Sequence, residues 1–347
     1  MTMTLTIYIN GLNNEGKIKN FLYIFLLFIL TACTRPSVNK VKYSDKAKYV
    51  SIHQAQPGIS LVGKTNMLVF YDNEGKILEN YKFEVDTYIS KGIGQYIFFY
   101  GKSGILRIDK KNKIVERITD LSSDAIDFEN GKLYHNINGG FVNYPHPKYK
   151  ESICEFGGEC INFDTHLATF RVLKDKLYVQ LNQYNEETSK QWYVLRVYDF
   201  KTKELLSEAP MSHLASIEKA SNTIYILDEN DKLYNFETKE LVFDLGKYIE
   251  NQNIENCYNE WTLENNYNGD LVIRIRKEDK LVLFNITKQK EEISAPRAIS
   301  LNFSPSSKTV VSENMGEDTF TDLSNNKTFK LKDFGKSYIS SYIFPLD

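Results

Sequence analysis

A cysteine at position 33 follows an apolar run, Phe21 to Leu30, that is itself preceded by Lys17 and Lys19. A basic segment, a short hydrophobic core and small residues before a cleavage point make a secretory signal, and a thiol just behind that point makes the reading more specific. Cys154 and Cys160 flank Glu155-Phe156-Gly157-Gly158-Glu159. A Gly-Gly centre suits a tight hairpin turn that brings both thiols together, and in an exported protein the pair is expected to form a disulfide. The loop is short, so the chain-entropy gain is about 2 kcal/mol. Two free thiols are the alternative. Zinc ligand pairs usually sit closer in sequence. Cys257 is left unpaired. The histidines, His53, His135, His146, His166 and His213, show no metal spacing and no neighbouring nucleophile motif. No Gly-x-Ser-x-Gly elbow, phosphate loop or His-Glu-x-x-His is present. Glu186-Glu187 and Glu291-Glu292 look like solvated turns.

Leu30-Thr31-Ala32-Cys33 resembles the lipobox of bacterial lipoproteins. The resemblance implies that the Cys33 sulfur receives a diacylglycerol, that the leader 1–32 is removed, and that Cys33 is the first mature residue and a membrane anchor. The competing readings are a transmembrane helix and an ordinary secretory signal. The apolar stretch Phe21 to Ala32 has 12 residues, where a span needs about 20. Met1 to Gly16 precedes the basic region, fits no leader and reads as an overlong gene start. Thr34 lacks the Asp that resembles an inner-membrane retention signal, which favours the outer membrane, facing the periplasm, in a Gram-negative cell.

The mature part, 33–347, allows one large domain or two ordinary ones. Of the 347 residues, 42% are hydrophobic and 25% charged, which is ordinary for a globular chain. The net charge of -2 gives no reason to expect a nucleic-acid partner, which needs clustered cations. The 23 Tyr and 21 Phe, against 2 Trp and 8 Pro, favour pleated, half-buried surfaces. An AT-rich genome accounts for part of that bias.

Residues 33–48 are polar and aperiodic and read as a lipidated tether. From 49 to 347 a short apolar strand, an Asp/Asn/Lys turn and a second strand recur. The turn lysines are Lys76, Lys113, Lys203, Lys239, Lys288 and Lys327, separated by 37, 90, 36, 49 and 39 residues. A masked repeat near Tyr149-Lys150 would divide the 90 and give seven units of about 42 residues. Such units, with about four short strands each, mark β-propeller blades. The fold is therefore expected to be all-β, a β-propeller of about seven four-stranded blades, with six or eight blades or a pair of β-sandwiches as alternatives. The pattern resembles quinoprotein-like and WD40/TolB-like propellers. The segment Leu301-Asn302-Phe303-Ser304-Pro305-Ser306-Ser307-Lys308 looks like their Phe-Ser-Pro-Asp-Gly-Lys turn. Tyr338 to Phe344 alternates and should close the ring in the first blade, beside Tyr49 to Ile52 or Ile59 to Val62.

Quinone-dependent dehydrogenases resemble this architecture, but their Trp docking motifs are missing, so no cofactor is transferred and none is expected. The expected role is a membrane-anchored envelope scaffold that binds a protein or glycan partner. The alternatives are a glycan-active enzyme using the central funnel and an immunity lipoprotein that neutralises a toxin. Asn182-Gln183-Tyr184-Asn185 and Asn251 to Tyr258 are the segments richest in amides and aromatics, which suit interfaces.

Overall fold

The computed structural model describes residues 39–55, 66–83, 87–101, 104–121, 123–138, 151–185, 187–220, 222–251, 261–267, 270–277, 280–303, 309–314, 318–333 and 338–347. Cys33, Cys257, His146, Ile59 to Val62, Tyr149-Lys150, Glu186 and Ser304 to Lys308 lie outside them. Asn39–Asp347 is one compact unit.

That unit is a seven-bladed β-propeller. Blade 1 holds β2 (Tyr49–Ala55), β3 (Asn66–Tyr71) and β4 (Ile77–Phe83). Blade 2 holds β5 (Thr87–Ile93), β6 (Tyr96–Gly101), β7 (Gly104–Asp109) and β8 (Ile114–Thr119). Blade 3 holds β9 (Ile126–Glu129), β10 (Lys132–Asn138), β11 (Glu151–Glu155) and β12 (Cys160–Phe163). Blade 4 holds β13 (His166–Leu173), β14 (Lys176–Asn185), β15 (Lys190–Asp199) and β16 (Leu205–Met211). Blade 5 holds β17 (Ser216–Ala220), β18 (Thr223–Leu227), β19 (Lys232–Asn235) and β20 (Leu241–Asp244). After α1 (Leu245–Asn251), blade 6 holds β21 (Trp261–Tyr267), β22 (Asp270–Lys277), β23 (Lys280–Asn285) and β24 (Lys290–Pro296). Blade 7 holds β25 (Ala298–Phe303), β26 (Val310–Asn314), β27 (Thr319–Asp322) and β28 (Lys327–Lys330). Within each blade these strands pair antiparallel in chain order, and two further strands from the chain's ends complete blades 1 and 2.

Ring closure follows the expectation from alternation. The last strand, β29 (Tyr338–Pro345), pairs with β2 from Tyr49↔Pro345 to Ala55↔Tyr338, so the C-terminal end supplies the inner strand of blade 1. The first strands of neighbouring blades lie against one another, among them β9 and β13, β13 and β17, β17 and β21, and β25 and β29, and form the inner ring. The fourth strands face outward, and β16 is exposed along nearly all its length.

Alternation in each strand buries one side chain toward each neighbouring blade. Phe98 and Ile105 of blade 2 meet Ile126 and Leu133 of blade 3. Ile153 and Phe163 of blade 3 meet Phe170 and Val179 of blade 4. Leu195 and Val197 of blade 4 meet Ile217 and Ile224 of blade 5. Phe243 of blade 5 meets Ile273 and Phe284 of blade 6, and Leu283 of blade 6 meets Leu301 of blade 7. Tyr49 and Tyr71 of blade 1 meet Phe320 and Phe329 of blade 7. Phe344 of β29 meets Phe99 of blade 2 edge-on, with ring centroids 5.9 Å apart, and completes the circle.

The expected tether boundary at residue 48 moves. Lys40–Lys42 is a strand, β1, on the outer edge of β8, with Lys40↔Glu116 and Lys42↔Ile114 in register. Tyr43 is buried and stacks on Phe70 at 4.6 Å. Lysines make this stretch look like a solvated linker, yet it contributes a backbone edge and one buried ring.

Candidate functional site

In a meander the chain reverses at every turn, so second-to-third-strand turns and blade-to-blade links share one face of the disc. First-to-second and third-to-fourth-strand turns share the other. The second face is built from short repeated turns. Asp199 Oδ1 accepts from the N–H groups of Lys201 and Thr202 (2.9 and 2.8 Å), and Asn235 Oδ1 accepts from those of Glu237 and Thr238 (2.9 and 3.1 Å). Asp72, Asp109, Asn285 and Asp322 do the same in their blades. Four residues on, the chain turns through positive φ at Lys113, Lys203, Lys239, Gln289 and Asn326, while in blade 1 Gly75 serves three residues after Asp72. The lysine phase is thus off by one at Lys76, Lys288 and Lys327, because the anchor of each turn is its leading Asp or Asn.

The masked repeat lies at 155–159, not at Tyr149-Lys150. Here blade 3 has no Asx turn. Cys154 and Cys160 face each other in register and are joined by a disulfide, with Gly157 at φ 73° in the turn between them. A covalent link stands where the other blades use a carboxylate or amide cap.

The first face carries the longer connections, including the link that holds α1 and the tip of the ten-residue hairpin β14–β15. Register pairs Tyr184 with Gln191 and Asn182 with Tyr193. These share the side of the hairpin whose deeper members, Tyr178, Leu195 and Val197, pack on blade 5. Between this tip and blade 5 lies an open cleft of about 470 Å³. It is lined by Gln191, Trp192 and Tyr193 of β15, by Met211, Ser212 and His213 at the end of β16 and just after it, and by Glu229 of the β18–β19 turn. Gln191 Nε2 donates to the Tyr193 hydroxyl (3.2 Å), and the Tyr193 and His213 rings lie 6.1 Å apart. Tyr184 is 43% exposed, Trp192 41% and neighbouring Leu214 63%. Large apolar groups so placed are the informative exceptions on a surface. In the β18–β19 turn, burial and then the Asp228 charge raise the Asp231 carboxyl above its ordinary value.

Asn182 to Asn185 therefore belongs to the tip of a strand rather than a loop. Of the second amide-rich segment, Asn251 ends α1, and Gln252 to Tyr258 lies outside the described residues. Trp192, Tyr193, His213 and Glu229 come from three separate segments. Only the phase of the repeat, which places their turns on one face, could have joined them.

At the centre, carboxylates do converge, but cations engage them. Lys219 Nζ lies 2.7 Å from Asp127 Oδ2 and 3.4 Å from Glu129 Oε2, and donates to the carbonyls of Phe128 (3.0 Å) and Val172 (2.9 Å). Asp127 also accepts from the Val172 N–H (2.6 Å). Arg171 pairs with Glu218 (3.2 Å). The network ties the inner strands of blades 3, 4 and 5 together. Glu291 and Glu292 are strand residues on β24, not a solvated turn: Glu291 pairs with Lys277, and Glu292 lies 3.2 Å from Lys290 Nζ.

His53 and His135 are buried strand residues, and burial lowers both their pKa values, that of His53 to about 4. His166 Nδ1 lies 2.7 Å from the buried Glu151, whose hydrogen bond raises the imidazole pKa. Glu151 also accepts from the Leu167 N–H (3.1 Å). Among the described residues, no three His, Cys, Asp or Glu gather as a metal site.

No family model and no curated protein matches the chain. Solved structures do. Apo AztD from Citrobacter koseri superposes with a TM-score of 0.51 at 11% identity, over 87% of this chain and 98% of that one. Acylaminoacyl peptidase from Pyrococcus horikoshii superposes with a TM-score of 0.53 at 11% identity, over 85% of this chain and 54% of that one. At such identity the likeness shows the fold alone.

Proposed function

We propose that the protein is a lipid-anchored recognition scaffold of the bacterial envelope, and that it meets a protein or glycan partner at the cleft between blades 4 and 5. The observation that carries this reading is the cleft itself. Exposed Trp192 lines the cavity, and exposed Leu214 and Tyr184 adjoin its lining residues His213 and Gln191 in sequence and in register; the volume lies in the ~300–1,000 Å³ range of binding sites. Trp, Tyr and Met are the side chains enriched in interfaces. The funnel carboxylates are held by Lys219 and Arg171, which favours binding over funnel chemistry. The role of scaffold is a fold-level analogy; the location of the contact comes from the cleft.

The anchor reading rests on the sequence before Cys33. Six residues, 34–39, separate Cys33 from β1, a leash of at most about 25 Å. Replacing Cys33 with Ala should abolish labelling by a palmitate analogue and leave the leader attached; undiminished labelling would overturn the anchor. For the recognition face, a photo-crosslinker at Leu214 should capture an envelope partner, and Tyr193→Ala should reduce that capture at least about fivefold. Equal capture by a crosslinker on the exposed strand β16 would place the contact elsewhere.

A further inference from the structure

The cleft between blades 4 and 5 has a charge as well as a shape. Glu229 supplies a carboxylate to the lining, and among the described residues no lysine or arginine lines the cavity. Asp228 and Asp231 occupy the same turn as Glu229, and Glu187 lies at the facing hairpin tip. Lys190 and Lys232 begin the strands after these two turns but do not line the cleft. The Asp228 carboxylate is committed to the turn, where it accepts from the N–H groups of Asn230 and Lys232 (both 2.9 Å). Glu229 is exposed and lines the cavity without such a duty. The same lining holds Tyr193, whose hydroxyl is engaged by Gln191, and the His213 ring beside it.

We infer that the cleft takes a planar cation, the guanidinium of an arginine presented by a partner protein. This deepens the proposed recognition role and rests on it. A guanidinium can lie on an aromatic face while its N–H fork meets a carboxylate. Met211 suits the apolar stem of the same side chain, and Gln191 and Ser212 offer acceptors for its remaining donors. A neutral saccharide would use the hydroxyl-binding groups and leave the Glu229 charge without a counterpart. Arginine is also among the side chains that most often anchor protein interfaces.

The test is saturation-transfer NMR titration of the detergent-solubilised full-length protein with three probes: Nα-acetylarginine methylamide, its isosteric citrulline counterpart, and diacetylchitobiose. The arginine probe is expected to bind about fivefold or more tightly than citrulline. Glu229→Gln should remove that preference, and Tyr193→Leu should weaken the arginine probe. Glu229 is exposed and makes no turn hydrogen bond of its own in the structure, so the variant should melt like the wild type, which a thermal scan checks. Equal binding of arginine and citrulline, an unchanged preference in Glu229→Gln, or no binding of either would overturn the cation assignment. Saturation transfer to the chitobiose alone would also overturn it while leaving the cleft as a recognition site. Loss of the recognition role itself would show separately, as partner capture at Leu214 that Tyr193→Ala does not change.

Discussion

His166 and His53 sit in opposite environments and should respond to pH with opposite signs. The Glu151 hydrogen bond raises the His166 pKa above its unfolded value, so folding takes up a proton there. That contribution is whole below about pH 6.5 and is lost as pH rises through the folded pKa. The melting-temperature advantage of wild type over His166→Gln should therefore be larger at pH 5.5 than at pH 9; an equal difference at both would refute the assignment. Burial, and then the Lys332 charge, lowers the His53 pKa to about 4. Its ring stays neutral while the unfolded chain protonates, so stability falls as pH drops from about 6.5 to 4, by on the order of 3 kcal/mol. His53→Gln should flatten that part of the urea-unfolding profile. The His166 pairing was not legible in the sequence, because Glu151 lies on β11 and His166 on β13, in different blades. The Cys154–Cys160 pair was, since its partners are six residues apart with a turn between them.

At the scale of the element, the repeated turn was legible in composition and misread in phase. Lysine was the visible marker, but the side-chain oxygen of the leading Asp or Asn holds the loop, and the residue at positive φ can be Lys, Gln, Asn or Gly. Blade 3 hid its turn because a disulfide replaces the cap. Two glycines with nearly the same φ separate conformation from packing. A methyl at Gly75 (φ 75°) would run into the ring of Phe329 in blade 7, whereas one at Gly157 (φ 73°) would meet open space. Gly157→Ala should cost only the backbone term, about 1 kcal/mol. Gly75→Ala should cost that and an overpacking term of about 1–3 kcal/mol. Chemical denaturation of the two variants gives the ranking, and a reversed order would mean that blades 1 and 7 can part to make room.

At the scale of the whole molecule, alternation in Tyr338 to Phe344 was enough to foresee the closure. The cleft was not, since its walls depend on how blades 4 and 5 sit side by side. Ile343, Phe344 and Leu346 are buried at the seam. Thr309 Oγ1 donates to Asp347 (2.6 Å), and Lys48 pairs with the same carboxylate, so blades 1 and 7 are pinned at the last residue. Each apolar side chain is worth about 1.5–3 kcal/mol. Deleting 338–347 should lower the melting temperature by about 10 °C or more and expose β2 as an unpaired edge prone to self-association. A truncated chain that stays monomeric and melts like the intact one would show that β29 is dispensable.

The small strand β1 gives the molecule a mechanical sequence of events. Three register pairs, two flanking backbone hydrogen bonds at Asn39 and Tyr43 and the Lys40–Glu116 ion pair hold β1 on the rim of blade 2, whereas β2 behind it is locked between β29 and β3. Tension applied from the N-terminal side should peel β1 away and draw Tyr43 from Phe70 while the ring stays shut. Residues 39–48 would then release roughly 30 Å of slack. In a force-extension trace we expect this as a small early step before the main rupture, and Tyr43→Ala should shift it to lower force. Pulled from that side, the seven-bladed ring would extend by about that distance without losing a blade.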